Sequence, residues 1–154
     1  MKTTHFLEQV TAFHHAFKVP ILEAPAIPAA GRCQLRVQLF EEELAELKAA
    51  IAENDLVEVA DALCDLQYVL LGTALEFGLG EKFAALFGEV HRSNMSKACK
   101  TREEAEETVQ WYQEQLSTDA YYKETDGVFI VYRTQDDKAL KSVAYSAADL
   151  SPLL

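Results

Sequence analysis

Apolar residues recur at three- and four-residue steps along most of this chain, and each such run predicts a helix. Phe6, Val10, Phe13 and Phe17 give the face of a first helix, capped by Thr3 or Thr4 and ended before Pro20. Pro20, Pro25 and Pro28 then block helix through a connector to Ala30, a segment suited to wrapping a bundle or covering a pocket. A second helix is expected from Gly31 to a tight turn at Asn54-Asp55, with Leu35, Leu39, Glu43, Glu46 and Ala50 as its core-facing stripe. The third, from Val57 to about Phe77, is apolar in nearly every direction as far as Leu71. That is the pattern of a helix buried all round, and Gly78 and Gly80 stop it. A fourth helix, from about Glu81, turns Phe83, Phe87 and Val90 inward, and the same register carries on to Asn94 and Lys97. Thr101 and Glu104 form a capping box for a fifth, which carries Val109, Trp111, Tyr112 and Leu116.

After Tyr121 the pattern changes. Asp126-Gly127 is a turn signal, Val128 to Tyr132 is β-branched and aromatic, and Thr134 to Asp137 separates it from Ala139 to Val143. The expected fold is all-α: one domain, with a four- to five-helix bundle over 1–117 and a small β-hairpin with a tail over 118–154.

Two carboxylates, Glu43 and Glu46, fall inside the stripe of the second helix; Glu42 flanks it and Glu41 points away. The only charges in the apolar part of the third helix are Glu58, Asp61 and Asp65, spaced three and four, on one face. In an antiparallel hairpin folded at Asn54, Glu46 lies level with Asp61 and Glu43 with Asp65. An unpaired buried charge costs several kcal/mol, and no Lys or Arg interrupts the third helix, so a hard divalent cation with oxygen ligands is the natural partner. Acid clusters on helices are usually solvated faces, but these acids share faces with Leu39 and Val69, which favours a metal site.

Other charges allow more than one role. Arg32 and Arg36, one turn apart, pair with the cluster, reach a substrate or form surface ion pairs. An inward Lys97 suits phosphate contact or a counter-ion role equally. His14 and His15 point about 100° apart and cannot share an ion, so a surface or rim position is expected for them. The Glu103-Glu104 and Glu106-Glu107 pairs suit the start of the fifth helix electrostatically.

Composition narrows the function classes. A net charge of −11 over 154 residues lacks the electrostatic footprint of a nucleic-acid binder. No apolar run is long enough to span a bilayer, and no basic-then-apolar signal opens the chain, so a soluble cytoplasmic protein is expected. Cys33, Cys64 and Cys99 fit no zinc or CxxC pattern; Cys64 reads as a small core residue, and a reducing compartment fits. No P-loop, GxSxG elbow or Cys/His nucleophile pairing is present.

The order Glu42-Glu43-x-x-Glu46, then Glu58-x-x-Asp61 on the next helix, resembles the EExxE…ExxD signature of the all-α nucleoside triphosphate pyrophosphohydrolases. That superfamily includes MazG proteins, dimeric dUTPases and phosphoribosyl-ATP pyrophosphohydrolase. Arg36 stands where these sequences often carry Arg. His91-Arg92-Ser93-Asn94-Met95-Ser96-Lys97, and Asp137-Lys138-Ala139-Leu140-Lys141-Ser142 with Tyr145, look like a MazG-like, phosphoribosyl-ATP pyrophosphohydrolase-like subgroup. The resemblance covers about Arg32 to Leu150; the tail from Ser142 departs from the subgroup's commoner proline-containing one.

The resemblance implies a MazG-like bundle that hydrolyses the α–β phosphoanhydride of a nucleotide, with Mg²⁺, or Mn²⁺ in its place, as cofactor. It implies Glu43, Glu46, Glu58 and Asp61 as metal ligands, and Glu42 as holder of a further ion or of the attacking water. Arg36, Asn94, Lys97 and Lys141 are the implied substrate contacts. Asp65 matches no superfamily ligand, and its alignment with Asp61 suggests a supporting or second-ion role. A homodimer or higher homo-oligomer is implied as well. The base is left open: Tyr68, Phe77 or Trp111 serve equally to stack on it or to fill a core. Two rival readings stand beside this one. A di-iron carboxylate bundle needs Glu-x-x-His pairs, which none of the four histidines supplies. The other rival is a non-catalytic dimeric helical protein that binds a metal-nucleotide or a protein partner.

Overall fold

A computed structural model describes residues 4–154. The expected cap at Thr3 or on the side chain of Thr4 lies outside the described residues. Five helices follow one another: α1 (Thr4–Phe17), α2 (Ala30–Glu53), α3 (Leu56–Glu76), α4 (Phe83–Met95) and α5 (Arg102–Leu116). The strands β1 (Ala120–Thr125) and β2 (Val128–Arg133) form an antiparallel hairpin, and a short 3-10 turn spans Ser151–Leu153. The fold is the expected helical one with a C-terminal hairpin. Contacts divide it into two compact units, one from the start to Ala84 joined by Leu154, and the other Ala85–Leu153. The boundary expected at 117 therefore falls within α4, because α5 packs on the hairpin.

In the first unit the α2–α3 turn forms as its residues dictate. Asn54 takes the left-handed conformation (φ 55°), and its N–H bonds the Ala50 and Ile51 carbonyls. Asp55 caps α3 by accepting from the Val57 and Glu58 amides. Gly78, at φ 67°, ends α3 and lies so close to the Ala24 carbonyl that no side chain would fit. The Pro-rich connector runs beside that end of α3, with Leu22 N–H on Leu75 O and Ala26 N–H on Phe77 O, both at 3.1 Å. Val10, Leu71 and Leu75 form the buried core there, with Leu7, Ile21 and Phe83 packed against them.

Four burial expectations are corrected. The buried side of α2 runs through Arg36 and Ala50 with Glu43 half-buried, whereas Glu46 is exposed at its edge. α3 is buried mainly in its second half, with Ala62 buried ahead of it; Leu56, Val57 and Leu63 are more than half exposed. Cys64 is exposed, and Cys99 is the fully buried cysteine. His14 is buried, not at the rim.

In the second unit Cys99, Ala105, Phe129 and Val131 form a core covered by Val109, Ala120, Tyr122 and Leu140. The hairpin turns at Asp126 (φ 52°) and Gly127 (φ 76°), a two-residue loop whose positive φ angles suit the strand twist. The partner of β2 is Ala120–Thr125; the 139–143 segment contributes one bridge, Tyr132 to Ala139. Thr101 caps α5 through the Glu104 amide, and the Glu104 carboxylate reaches back to Lys100 N–H. In α4 the register differs from expectation: Leu86 and Ser93 are the buried positions, while Phe87, Val90 and Asn94 are exposed and Lys97 is half-buried. The row starting at Phe83 is broken because Ser93 is held in place by Tyr145.

Candidate active site

Two carboxylates on the α2–α3 pair, Glu76 and Glu43, differ in their surroundings. Glu76, on α3, is 1 % exposed. Arg32 donates to it from Nε (2.9 Å) and Nη2 (2.5 Å), and Arg36 Nη1 lies at 3.4 Å. The Arg36 guanidinium also donates to Thr73 Oγ1 (3.0 Å) and Val69 O (2.8 Å). Burial pulls Arg36 below its ordinary pKa, with Glu76 opposing. Gly72 makes room for this head group, since a Cβ there would strike Arg36 Nη2 and stand 2.9 Å from His14 Nε2. His14 donates from Nδ1 to Pro20 O (3.1 Å), and desolvation by burial lowers its pKa. Arg36, expected as a substrate contact, is thus buried with Glu76 as its counter-ion.

Glu43 is the second carboxylate. It sits half-buried on α2, and its Oε2 is buried without a hydrogen-bond partner. Desolvation raises its pKa, and the charges of Asp65, Glu46, Glu42 and Asp61 raise it further, in that order. That order bears on the hairpin register: Asp65 is the residue expected level with Glu43. The charges of Glu42, Glu46, Asp61 and Asp65 thus all act on Glu43. Glu58 stands apart in the first turn of α3, exposed. Among the described residues no three His, Cys, Asp or Glu side chains stand close enough together, as they are, to hold an ion. The donor set is nonetheless all carboxylate oxygen, and Glu46, Glu58 and Asp61 are exposed. The residues present fit a hard divalent cation.

The remaining expected contacts lie in the second unit, where the two motif segments meet around Tyr145. Ser93 Oγ donates to the Tyr145 hydroxyl (3.2 Å), and Ser142 N–H bonds Lys97 O (3.0 Å). Lys97 Nζ donates to Asn94 Oδ1 (2.8 Å) and the Lys141 ammonium lies 4.3 Å from the Tyr145 ring centroid. The Ser93 hydrogen bond, then the charges of Lys141, Lys97 and Arg92, hold the Tyr145 hydroxyl below its usual pKa. Arg92 is itself engaged by Glu89 through two 2.7 Å contacts.

Sequence reasoning missed Glu76 as the partner of Arg32 and Arg36, and the burial of His14 beside Arg36. A glutamate in the last turn of a helix, with no cation on its own helix, was the available signal. Among the described residues no helix is long and apolar enough to cross a membrane.

Comparison with known proteins shows a family and a relative. The family model for phosphoribosyl-ATP pyrophosphohydrolase matches residues 10–94, more than half of the chain. An uncharacterised protein of Acanthamoeba polyphaga mimivirus is 30 % identical over 115 residues; the match covers 70 % of this chain and 44 % of that protein. The chain thus spans less than half the length of that relative.

Proposed function

The chain belongs to the phosphoribosyl-ATP pyrophosphohydrolase family, within the MazG-like all-α superfamily, and from that premise we propose that it is a Mg²⁺-dependent nucleoside triphosphate pyrophosphohydrolase. The family is one of pyrophosphohydrolases and is generally metal-dependent. The observation that carries the reading is the orphaned, half-buried Glu43 carboxylate under the charge of four others, of which Glu42, Glu46 and Asp61 stand at positions of the superfamily signature. Among the described residues no ion pair to Glu43 is formed. Glu43, Glu46, Glu58 and Asp61 hold the metal, and Mn²⁺ serves in place of Mg²⁺. When bound, the cation neutralises triphosphate charge and makes a coordinated water more acidic.

Glu42, exposed beside the cluster, accepts a proton from the attacking water or holds it in line. Water adds to phosphorus, the α–β anhydride bond breaks, and a nucleoside monophosphate and pyrophosphate leave. Asp65 keeps negative charge beside Glu43 and so favours a cation there. Asn94, Lys97 and Lys141 contact phosphate oxygens. Arg36 positions α2 against α3 rather than touching substrate. The apolar residues left exposed on the hairpin, Val37, Leu44 and Ile51 on α2 and Leu56, Val57 and Leu63 on α3, support a homodimer.

Pyrophosphate release from a panel of NTPs, dNTPs and phosphoribosyl-ATP, with Mg²⁺, Mn²⁺ and EDTA arms, tests the chemistry. Metal-dependent release from one or a few members is expected. A folded protein that releases none from any of them is instead a non-catalytic nucleotide or partner binder. Light scattering that shows only monomer would remove the dimer.

A further inference from the structure

Trp111 is the only tryptophan of the chain, and 44 % of it is exposed at one side of a pocket of about 360 Å³ in the second unit. That size is within the range of small-ligand sites. Glu107, Trp111 and Tyr112 of α5 form one wall, and Lys141, Ser142 and Tyr145 belong to the other. The walls are fixed to each other at three points. Lys141 N–H donates to the Tyr112 hydroxyl (3.1 Å), Ser142 Oγ donates to the Glu104 carboxylate, and Val143 N–H donates to Thr108 Oγ1 (3.2 Å). Tyr112 also braces the indole edge-on, with ring centroids 5.0 Å apart at 83°.

What these bonds leave uncommitted is chemically specific. The outer face of Trp111 is a stacking surface, and stacking on an aromatic side chain accepts any nucleobase. The exposed Glu107 lies one turn before Trp111 on α5; an ionised carboxylate only accepts hydrogen bonds, so it favours a base that carries an amino group. The Lys141 ammonium, over the Tyr145 ring, is the cation on the other wall, with Lys97 and Arg92 adding positive charge around Tyr145 in a protein of net charge −11. Base, amino group and phosphate each have a counterpart.

We propose that this pocket is a nucleotide site, with an amino-bearing nucleobase stacked on Trp111, its amino group on Glu107 and its phosphate on Lys141. The inference concerns the second unit by itself and requires no metal.

The emission of Trp111 in the full chain reports the pocket directly. In EDTA, saturable quenching by CMP and AMP is expected, about ten-fold weaker for UMP and for ribose 5-phosphate. Lys141→Gln should weaken CMP binding about ten-fold. Glu107→Gln should bring CMP and UMP to within about two-fold of each other. Equal quenching by CMP, UMP and ribose 5-phosphate would overturn the proposal, as would no response to any of them. The two readings fail separately. Metal-dependent turnover with silent Trp111 emission removes the pocket and keeps the enzyme. Quenching that persists in a chain without turnover removes the enzyme and keeps the pocket.

Discussion

Glu76 and Glu43 sit on the same pair of helices, and each is drawn from water into an apolar seam. Glu76 arrives with its cations: Arg32 and Arg36 are on the facing helix, and Gly72 leaves space for one of them. Glu43 arrives with four more carboxylates and a buried oxygen that no group among the described residues satisfies. Burial alone therefore does not mark a functional acid. A carboxylate that the fold has already neutralised is scaffold, and one that the fold leaves charged among like charges is set to take a cation from solution.

The largest effect should come from breaking the neutralised end. Glu76→Leu leaves the buried Arg36 without its counter-ion, which costs about 3–5 kcal/mol for a broken buried pair. Urea unfolding measures this, and a loss below about 1 kcal/mol would show that the pair is not structural. Next comes the open end. Glu46→Gln or Asp61→Asn should lower turnover more than about 100-fold, with helix content and unfolding midpoint unchanged. Wild-type rates in either variant would dissolve the ligand assignment and, with it, the contrast between the two ends.

The sequence made the open end legible and hid the closed one. Carboxylates in an apolar stripe stand out by period, and the Asn54-Asp55 turn sets their level across the hairpin. Glu76 could not be paired from sequence, because its partners lie 40 and 44 positions away and the contact depends on how α2 and α3 cross. Apolar character does not by itself give burial: Val57, Cys64 and Leu63 are apolar yet exposed. The reading of α4 went astray at Phe83 and Phe87, since hydrophobicity favoured them while a hydroxyl pair, Ser93 and Tyr145, chose the buried side. Polar contacts between distant segments leave no periodic trace. For the same reason the hairpin turn was found at Asp126-Gly127 but its first strand was not.

A gentler change should separate stability from function. Glu43→Gln removes like-charge repulsion, and in EDTA it should stabilise the chain by about 0.5–2 kcal/mol. The same variant should lose most of the stabilisation that Mg²⁺ gives the wild type. A variant less stable than wild type in EDTA would mean that the Glu43 charge is satisfied in solution.

The smallest effect is one of sign, and it sets the two ends against each other along the pH axis. The folded-state pKa of Glu43 is raised above its ordinary 4.5, so between those values the folded chain holds the extra proton. Stability from this group is present at lower pH and is lost as pH rises through that window. His14 runs the other way. Burial lowers its folded-state pKa below 6.5, so the unfolded chain takes the proton first, and stability is lost as pH falls from 6.5 toward the folded value. Urea midpoints followed from pH 4.5 to 8 in EDTA should therefore carry two opposed slopes, with Glu43→Gln removing the first and His14→Gln the second. Saturating Mg²⁺ should flatten only the slope that belongs to Glu43, because a cation can replace its proton while nothing from solution enters the neutralised end. If Mg²⁺ flattened the His14 slope as well, the two ends would be one coupled site, and the division between scaffold and open carboxylate would fall.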